Sequence, residues 1–221
     1  KVVLCPSNVD AMHPESYYSK AQSITAAIEG GFYLNQNFNE INYLTHYKST
    51  APEIWAQTNG HLTHVIAAAS TGGTISGLGK FFKEQNESIK ILGVDCAGSS
   101  LSQYFYEGTF DSKIKRSTCI EGLGKDIIPG NFKSQYIDEI ITIEDRSAIK
   151  MMLDLSQLEG IMTGGTSGAT MAALAQIAGS LRPTDNVVLI FPDHGSKYLS
   201  KYYSAEWREK MGFGRLKEDA A

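Results

Sequence analysis

The sequence predicts an α/β fold built on an open, mostly parallel sheet with flanking helices. Short apolar runs alternate with helical patterns along the chain, as they do in βαβ units. The strand candidates are residues 64–69, 89–95, 139–143 and 187–192, and the last of these is apolar throughout, like a strand buried on both faces. With 221 residues, of which 42% are apolar, the chain is long enough to form a sizeable core.

The elements before the first of these strands follow from apolar patterns and helix breakers. Residues 1–6 are predicted to form a strand, and because no initiator methionine or lead-in precedes them, we expect the sequence to be the middle part of a longer protein. A helix is predicted over residues 14–29, where a glycine pair ends it. Residues 31–36 are predicted to form a short strand. A long helix is expected over residues 43–58, either kinked or divided by Pro52.

The elements of the second half are predicted in the same way. Residues 97–115 are polar, aromatic and poorly periodic, so they are expected to form a surface excursion. Asp145 is expected to cap a helix over residues 145–159. A glycine-rich helix start is predicted to open a helix over residues 164–178. Residues 196–207 are expected to form a covering helix.

The most informative stretch is a glycine-rich turn between an apolar strand and a helix. It consists of Ser70, Thr71, Gly72, Gly73 and Thr74. In such a turn the free backbone N–H groups lie at the positive end of the helix dipole, and glycine lets an anion approach closely. The threonine hydroxyls add further donors. The pattern predicts a phosphate site, with a tight turn that binds nothing as the alternative.

Composition excludes several classes of partner and site. The formal net charge is -4 with acids and bases interspersed, so neither nucleic acid nor a membrane surface is an expected partner. Apolar runs are far shorter than a bilayer span, and a cytoplasmic location is expected. Cys5, Cys96 and Cys119 are widely spaced, which predicts buried hydrophobic thiols rather than a zinc site or disulfides. No metal site is predicted.

Two other enzyme classes are disfavoured by motif spacing. The glycine-rich stretch around Gly122 fails the dinucleotide pattern, because Ile127 stands where the third glycine belongs. A serine hydrolase remains as a weaker alternative. Gly165 lies two residues before Ser167, but Ala169 stands where the nucleophile elbow requires a second glycine.

Four motifs, in order, carry a resemblance to a known family. They are residues 71–74 after an apolar strand, residues 121–124 with Pro129 following, residues 164–169 at a helix start, and residues 191–193 before Tyr198. Together they resemble the pyridoxal-phosphate-dependent β-replacement enzymes of the cysteine synthase and cystathionine β-synthase family. The resemblance covers almost the whole chain. It implies the tryptophan synthase β-subunit type of fold (fold type II) and pyridoxal 5′-phosphate as cofactor.

The resemblance also implies roles for individual residues. Ser70–Thr74 would hold the cofactor phosphate, and Thr166 would donate a hydrogen bond to the pyridine nitrogen, with an N-cap role as the alternative. Gln36 matches a position that contacts the substrate carboxylate, although Asn37 stands where an aromatic residue is usual. Gly122 would lie beside the substrate, and simple loop roles remain open for it.

The family's Schiff-base lysine has no match in this sequence. That lysine, and the loop that grips the substrate carboxylate, are expected to lie before Lys1, so no catalytic residue is assigned here. Residues 1–35 are expected to belong to a smaller mobile domain, of which the larger part is absent, and residues 36–221 to the larger cofactor-binding domain.

The implied activity belongs to the complete protein. It would be β-replacement on serine, O-acetylserine or O-phosphoserine with sulfide or homocysteine, giving cysteine or cystathionine. The partners would be small amino-acid and thiol substrates, and a homodimer is expected. The alternative from another functional class is a non-catalytic or regulatory homologue that keeps the fold.

Overall fold

The computed structural model describes residues 1–6, 9–111, 113 and 117–214. A four-stranded sheet lies at its centre, with all pairings parallel and the strand order β3-β2-β1-β4. The strands are β1 (His64–Ala68), β2 (Lys90–Asp95), β3 (Glu139–Thr142) and β4 (Val187–Leu189). The predicted α/β class with a parallel sheet and flanking helices is therefore confirmed.

Eight α-helices are present in the described residues. They are α1 (Tyr17–Ala26), α2 (Ile41–Thr45), α3 (Ala51–Gln57), α4 (Gly73–Gln85), α5 (Ser100–Glu107), α6 (Asp145–Leu158), α7 (Gly165–Ile177) and α8 (Ala205–Lys210). A π-helical turn (His46–Thr50) joins α2 to α3, and short 3₁₀ turns occupy Ser134–Tyr136, Ala178–Ser180 and Gly195–Tyr198. The predicted helices over residues 14–29, 145–159 and 164–178 are confirmed within a few residues.

Alternation along the strands divides the core into two layers. On β1, Val65 and Ala67 face a cluster that contains α4, whereas Ile66 faces a cluster that contains α6 and α7. This period of two is what a strand covered on both faces requires. Helix α4 presents Ile75, Leu78 and Phe82 to its layer, all fully buried. The sheet is therefore sandwiched between helices, and its carboxyl edge carries the glycine-rich turn.

Two predicted strands near the N-terminus are wrong. Residues 1–6 and 31–36 have no strand structure, because no neighbouring strand among the described residues pairs with them. Their apolar side chains stay largely exposed, including Leu4, Phe32 and Leu34. The predicted division into residues 1–35 and 36–221 stays a prediction, and residues 215–221 lie outside the described part.

The surface excursion expected over residues 97–115 contains a helix instead. Ser99 caps α5 by accepting a hydrogen bond from the Leu101 N–H at 3.2 Å, and Gly108 ends it with φ of 73°. Leu101 is fully buried. Residues 112, 114 and 115 of this prediction lie outside the described residues.

Three further details differ from expectation or refine it. The helix predicted over residues 43–58 runs without a break through α2, the π-helical turn and α3, and its irregularity is the π-helical turn rather than Pro52, which lies in the first turn of α3. The N-cap of α6 is Glu144, since the Asp145 carboxylate instead accepts hydrogen bonds from Thr118 and Cys119. The covering helix expected over residues 196–207 is a 3₁₀ turn followed by α8.

Strand β4 is shorter and less buried than its sequence suggests. It spans only Val187–Leu189, and all three residues are partly exposed rather than fully buried. It pairs with β1 on one side and lies at the edge of the four-stranded sheet.

Candidate functional site

The glycine-rich turn lies between β1 and α4, at the carboxyl edge of the sheet. Gly72 is the N-cap of the helix, with φ of 84° and no side chain to cap it, and the Gly73 N–H donates to Thr71 Oγ1 at 3.4 Å. A Cβ at Gly72 would lie 2.4 Å from the Cα of Phe132, so both conformation and space require glycine there. The turn thus presents a helix N-terminus whose N-cap residue has no side chain, and such N-termini can bind anions.

Asn42 holds a second segment against this turn. Its Nδ2 donates to the backbone oxygen of Gln36 at 2.7 Å and lies 3.5 Å from Thr71 Oγ1. A Cβ at Gly73 would lie 1.9 Å from Asn42 Oδ1. Asn131 Nδ2 donates to the same Gln36 oxygen at 2.9 Å. Two asparagines therefore place Gln36 beside the turn, and its exposed side-chain amide makes no hydrogen bond with the described residues.

A half-buried histidine supports the other end of the turn. His46 Nε2 lies 3.3 Å from Thr74 Oγ1, and His46 Nδ1 lies 3.0 Å from Thr50 Oγ1. Burial lowers the pKa of His46 below its ordinary value, so the imidazole is neutral near pH 7. A neutral ring has one donor and one acceptor, which matches two hydroxyl neighbours.

Thr166 and Gly122 face each other across the site. Thr166 lies in the first turn of α7 and is 6% exposed, while Gly122 has φ of 84°. A Cβ at Gly122 would lie 3.5 Å from Thr166 Cγ2, which is ordinary van der Waals contact. The N-cap of α7 is Gly164, so the alternative N-cap role for Thr166 is wrong. The Thr166 hydroxyl makes no hydrogen bond with the described residues, so it is available to a ligand.

Hydrogen bonds join the glycine-rich turn after β1 to the loop that contains Gly122. The Gly124 N–H donates to the oxygen of Ala69 at 2.9 Å, and Ser70 Oγ donates to the Gly124 oxygen at 3.4 Å. The loop that contains Gly122 is therefore fixed to the end of β1. All the predicted site residues lie along one connected edge of the sheet.

Asp193 supports the second glycine-rich helix start. Its Oδ2 accepts a hydrogen bond from the Tyr198 hydroxyl at 2.7 Å and lies 3.5 Å from Lys197 Nζ. A Cβ at Gly164 would lie 2.0 Å from Asp193 Oδ1. Burial, together with Asp193, raises the pKa of Tyr198, so its hydroxyl stays protonated and donates. Asp193 thus anchors the start of α7.

The residues present fit a phosphate-bearing ligand with a polar ring atom. Binding groups are supplied by the start of α4, by the close approach that Gly72 permits and by the Thr166 hydroxyl, which makes no hydrogen bond with the described residues. No lysine ammonium contacts this turn in the described part of the chain. Lys125 Nζ instead lies against two tyrosine hydroxyls and Lys197 Nζ against Asp193.

The structure gives no support to hydrolase or metal chemistry in the part that it describes. Ser167 is fully buried and its hydroxyl has no partner, while His194 Nδ1 lies 3.0 Å from Ser196 Oγ. Ser167 and His194 therefore form no nucleophile–base pair. Among the described side chains, no group of three or more His, Cys, Asp or Glu residues is arranged to hold a metal ion. None of the described helices has the length and apolar character needed to cross a bilayer.

The cysteines are free thiols with different environments. Cys96 is buried, whereas Cys5 and Cys119 are partly exposed, so the expectation that all three are buried is only partly met. Burial and the neighbouring Asp145 carboxylate raise the pKa of Cys119 to about 12. Its thiol is therefore protonated and a poor nucleophile near neutral pH.

Sequence reasoning missed three polar residues of the site: Asn42, His46 and Asn131. All three lie outside the motifs, and their contacts join segments that are distant in sequence. In the sequence, only the polar character of the segment after Gln36 indicated a functional loop. It did not identify the side chains that take part.

Comparison with known proteins identifies similar enzymes that depend on pyridoxal phosphate or are named cystathionine beta-synthase or cysteine synthase. Residues 1–193 match the family model described as "Pyridoxal-phosphate dependent enzyme". The chain is 36% identical over 221 residues to a cystathionine beta-synthase of Apis mellifera, covering 96% of this chain and 42% of the relative. It is 31% identical over 182 residues to an O-acetylserine dependent cystathionine beta-synthase of Bacillus subtilis, covering 82% and 56% respectively. It is 32% identical over 204 residues to a cysteine synthase 2 of Emericella nidulans, covering 87% and 48%.

The chain spans only part of these relatives. It covers 42% of the Apis mellifera protein and 38% of a cystathionine beta-synthase from Mus musculus. The match nevertheless includes both glycine-rich helix starts and the loop between them.

Proposed function

Because the chain belongs to the family of pyridoxal-phosphate-dependent enzymes, we propose that the whole protein catalyses β-replacement on a serine-type amino acid. The first substrate would be serine, O-acetylserine or O-phosphoserine. The acceptor would be homocysteine or sulfide, giving cystathionine or cysteine. The names of the relatives, cystathionine beta-synthase and cysteine synthase 2, support this reaction class and make homocysteine the first acceptor to test.

One observation carries the proposal. The glycine-rich turn before α4 and the Thr166 hydroxyl, which makes no hydrogen bond with the described residues, belong to the same edge of the sheet. Ser70–Thr74 would hold the cofactor phosphate at the N-terminus of α4. Thr166 would bond to the pyridine nitrogen from the first turn of α7. When bound, pyridoxal phosphate withdraws electrons from the α-carbon of the amino acid, so that a β-substituent can leave.

The protein's own groups would orient this chemistry. A neutral threonine hydroxyl donates a hydrogen bond to the pyridine nitrogen but does not hold a full positive charge there, unlike a carboxylate partner. This limits electron withdrawal and favours loss of the β-substituent over competing reactions. Neutral His46 would keep the Thr74 hydroxyl in place without adding charge beside the phosphate.

Gln36 and Gly122 would contact the substrate. The Gln36 backbone oxygen is occupied by Asn42 and Asn131, which fixes the residue and leaves its amide free to bond with a substrate carboxylate. Gly122 leaves open space above Thr166, and its φ of 84° disfavours any residue with a side chain. The Schiff-base lysine would come from a part of the protein outside this sequence.

The test uses the full-length protein. We expect visible absorbance from bound cofactor, and product formation from O-acetylserine or serine with homocysteine or sulfide, measured by mass spectrometry. A protein that binds cofactor but forms no product with any combination would favour the non-catalytic homologue. A protein that binds no cofactor would contradict the assignment of the site. We also propose a homodimer, which light scattering during gel filtration will test.

A further inference from the structure

A second cavity lies beside the loop that contains Gly122. Its volume is about 640 Å³, within the range of roughly 300–1,000 Å³ usual for small-molecule sites. It is lined by residues 3–6, 9–11 and 16–18 of the N-terminal segment, and by residues 118 and 125–127. Neither Ser70–Thr74 nor Thr166 lines it. The cavity is therefore a neighbour of the cofactor site rather than part of it.

Lys125 is a cation of this cavity with only neutral partners. Its Nζ lies 3.4 Å from the Tyr17 hydroxyl and 3.3 Å from the Tyr18 hydroxyl, and 5.8 Å from the centre of the Tyr18 ring. No carboxylate among the described residues forms an ion pair with it. Lys133 and Lys150, by contrast, lie 3.0 Å from Glu40 and 2.7 Å from Asp154. The ammonium of Lys125 is therefore able to take an anionic ligand.

The backbone of Lys125 is fixed where its side chain meets the cavity. Its N–H donates to Ser99 Oγ at 3.1 Å, and its oxygen accepts from the Ser100 N–H at 2.8 Å and from Ser100 Oγ at 3.0 Å. These contacts come from the start of α5. Because the backbone of Lys125 is already fixed, less conformational entropy is lost when its side chain binds a ligand.

The lining suits a carboxylate. The Lys125 ammonium and the hydroxyls of Tyr17 and Tyr18 lie close together in this cavity. A carboxylate accepts charge-assisted hydrogen bonds from an ammonium and further hydrogen bonds from hydroxyls. The carboxylate of an amino-acid thiol therefore matches this group of donors.

We propose that this cavity receives the amino-acid acceptor of the reaction, with Lys125 as the contact for its carboxylate. The inference rests on the proposed β-replacement. It follows from position as well as from charge, because Lys125 is three residues from Gly122, which faces Thr166, and the intervening Gly124 is bonded to the end of β1. Sulfide has no carboxylate and does not need this contact. Lys125 therefore selects a carboxylate-bearing thiol over sulfide.

The kinetic test uses the full-length holoenzyme and three variants: Lys125→Met, Lys125→Arg and, as control, Lys150→Met. With the first substrate saturating, we expect Lys125→Met to raise KM for homocysteine about tenfold, since a charge-assisted hydrogen bond is lost. The rate with sulfide should stay within about twofold. Lys125→Arg should restore most of the affinity for homocysteine, and Lys150→Met should change neither acceptor. Equal losses with both acceptors, or no loss with homocysteine, would overturn the inference.

A binding test decides the same point without turnover. The probe is 4-(methylthio)butanoate, which has a carboxylate but neither an amine to react with the cofactor nor a thiol. Calorimetry should give about tenfold weaker binding to Lys125→Met than to the unsubstituted holoenzyme. Unchanged affinity, or no binding to the unsubstituted protein, would contradict the proposal. The neutral 3-(methylthio)propan-1-ol should not distinguish the two proteins. Absence of turnover with both acceptors would count against the proposed function alone, because calorimetry still reports on Lys125.

Discussion

Asn42 fills the space that a side chain at Gly73 would need. A Cβ built on Gly73 would lie 1.9 Å from Asn42 Oδ1, while Asn42 Nδ2 bonds to the Gln36 oxygen at 2.7 Å. The absence of a side chain at residue 73 thus lets one asparagine hold Gln36, the candidate substrate residue, beside the glycine-rich turn.

This contact predicts a coupled pair of substitutions. Gly73→Ala should displace Asn42 and weaken binding of pyridoxal phosphate by the full-length protein about tenfold, as measured by spectroscopic titration. In an Asn42→Ala background the same change should cost much less, because the clash is gone. Gly179→Ala is the matched control, since a Cβ there meets nothing within 4 Å. Additive effects of Gly73→Ala and Asn42→Ala would refute the coupling.

The second prediction concerns the hydroxyl of Thr166. Thr166→Val keeps the shape but loses the hydrogen bond, so we expect kcat/KM to fall about fivefold or more. Thr166→Ser should remain active, because it loses only the methyl group that faces Gly122. Thr166→Asp should alter the spectrum of bound cofactor and depress β-replacement, since a carboxylate favours a protonated pyridine nitrogen. If valine and aspartate variants keep the spectrum and rate of the unsubstituted protein, Thr166 has no role toward the cofactor.

The third prediction is a pH dependence of stability that originates from His46. Burial lowers its pKa in the folded state, so the unfolded state binds more protons once the pH falls below the unfolded pKa of about 6.5. Protonation of His46 should therefore reduce the free energy of unfolding as the pH is lowered from about 7 to about 5. Urea denaturation should give a smaller reduction for His46→Gln. The exposed His61 supplies the control, and His61→Gln should behave like the unsubstituted protein. Equal pH dependence in all three proteins would exclude His46 as the source.

The fourth prediction separates the proposed function from hydrolase chemistry. Ser167 is fully buried and its hydroxyl has no hydrogen-bond partner among the described residues, so it is neither accessible nor activated. A fluorophosphonate probe should not label it. Ser167→Ala should leave turnover unchanged and should not lower stability, because it removes an unpaired buried polar group. Labelling at Ser167, or loss of turnover in the alanine variant, would revive the alternative.

The sequence predicted the glycine-rich parts of the candidate site but not the side chains that pack against them. The turn Ser70–Thr74 and the helix start before Thr166 were predictable as helix N-termini, because both are glycine-rich stretches directly before a helical pattern. Asn42 and Asn131 were not, since their role depends on both reaching the oxygen of Gln36 from segments far apart in sequence. No local sequence pattern predicts a contact between segments so far apart in the chain.

The errors in the fold have equally physical causes. Residues 1–6 have the composition of a strand, but a strand also needs a neighbour to pair with, and propensity does not supply one. Helix α5 escaped prediction because its serine and aromatic residues have only modest helix propensity. The tertiary contact that buries Leu101 outweighs this preference.

The π-helical turn at His46–Thr50 sets the rotation of α2 relative to α3 about the helix axis. A π turn carries one residue more than an α turn, and each residue of an α-helix advances the chain by about 100°. Deleting one residue within this turn would restore a regular helix and rotate α2 by that angle relative to α3. Asn42 and His46 would then both turn away from the glycine-rich loop. One extra residue thus sets the orientation of two side chains that lie against opposite ends of the glycine-rich turn.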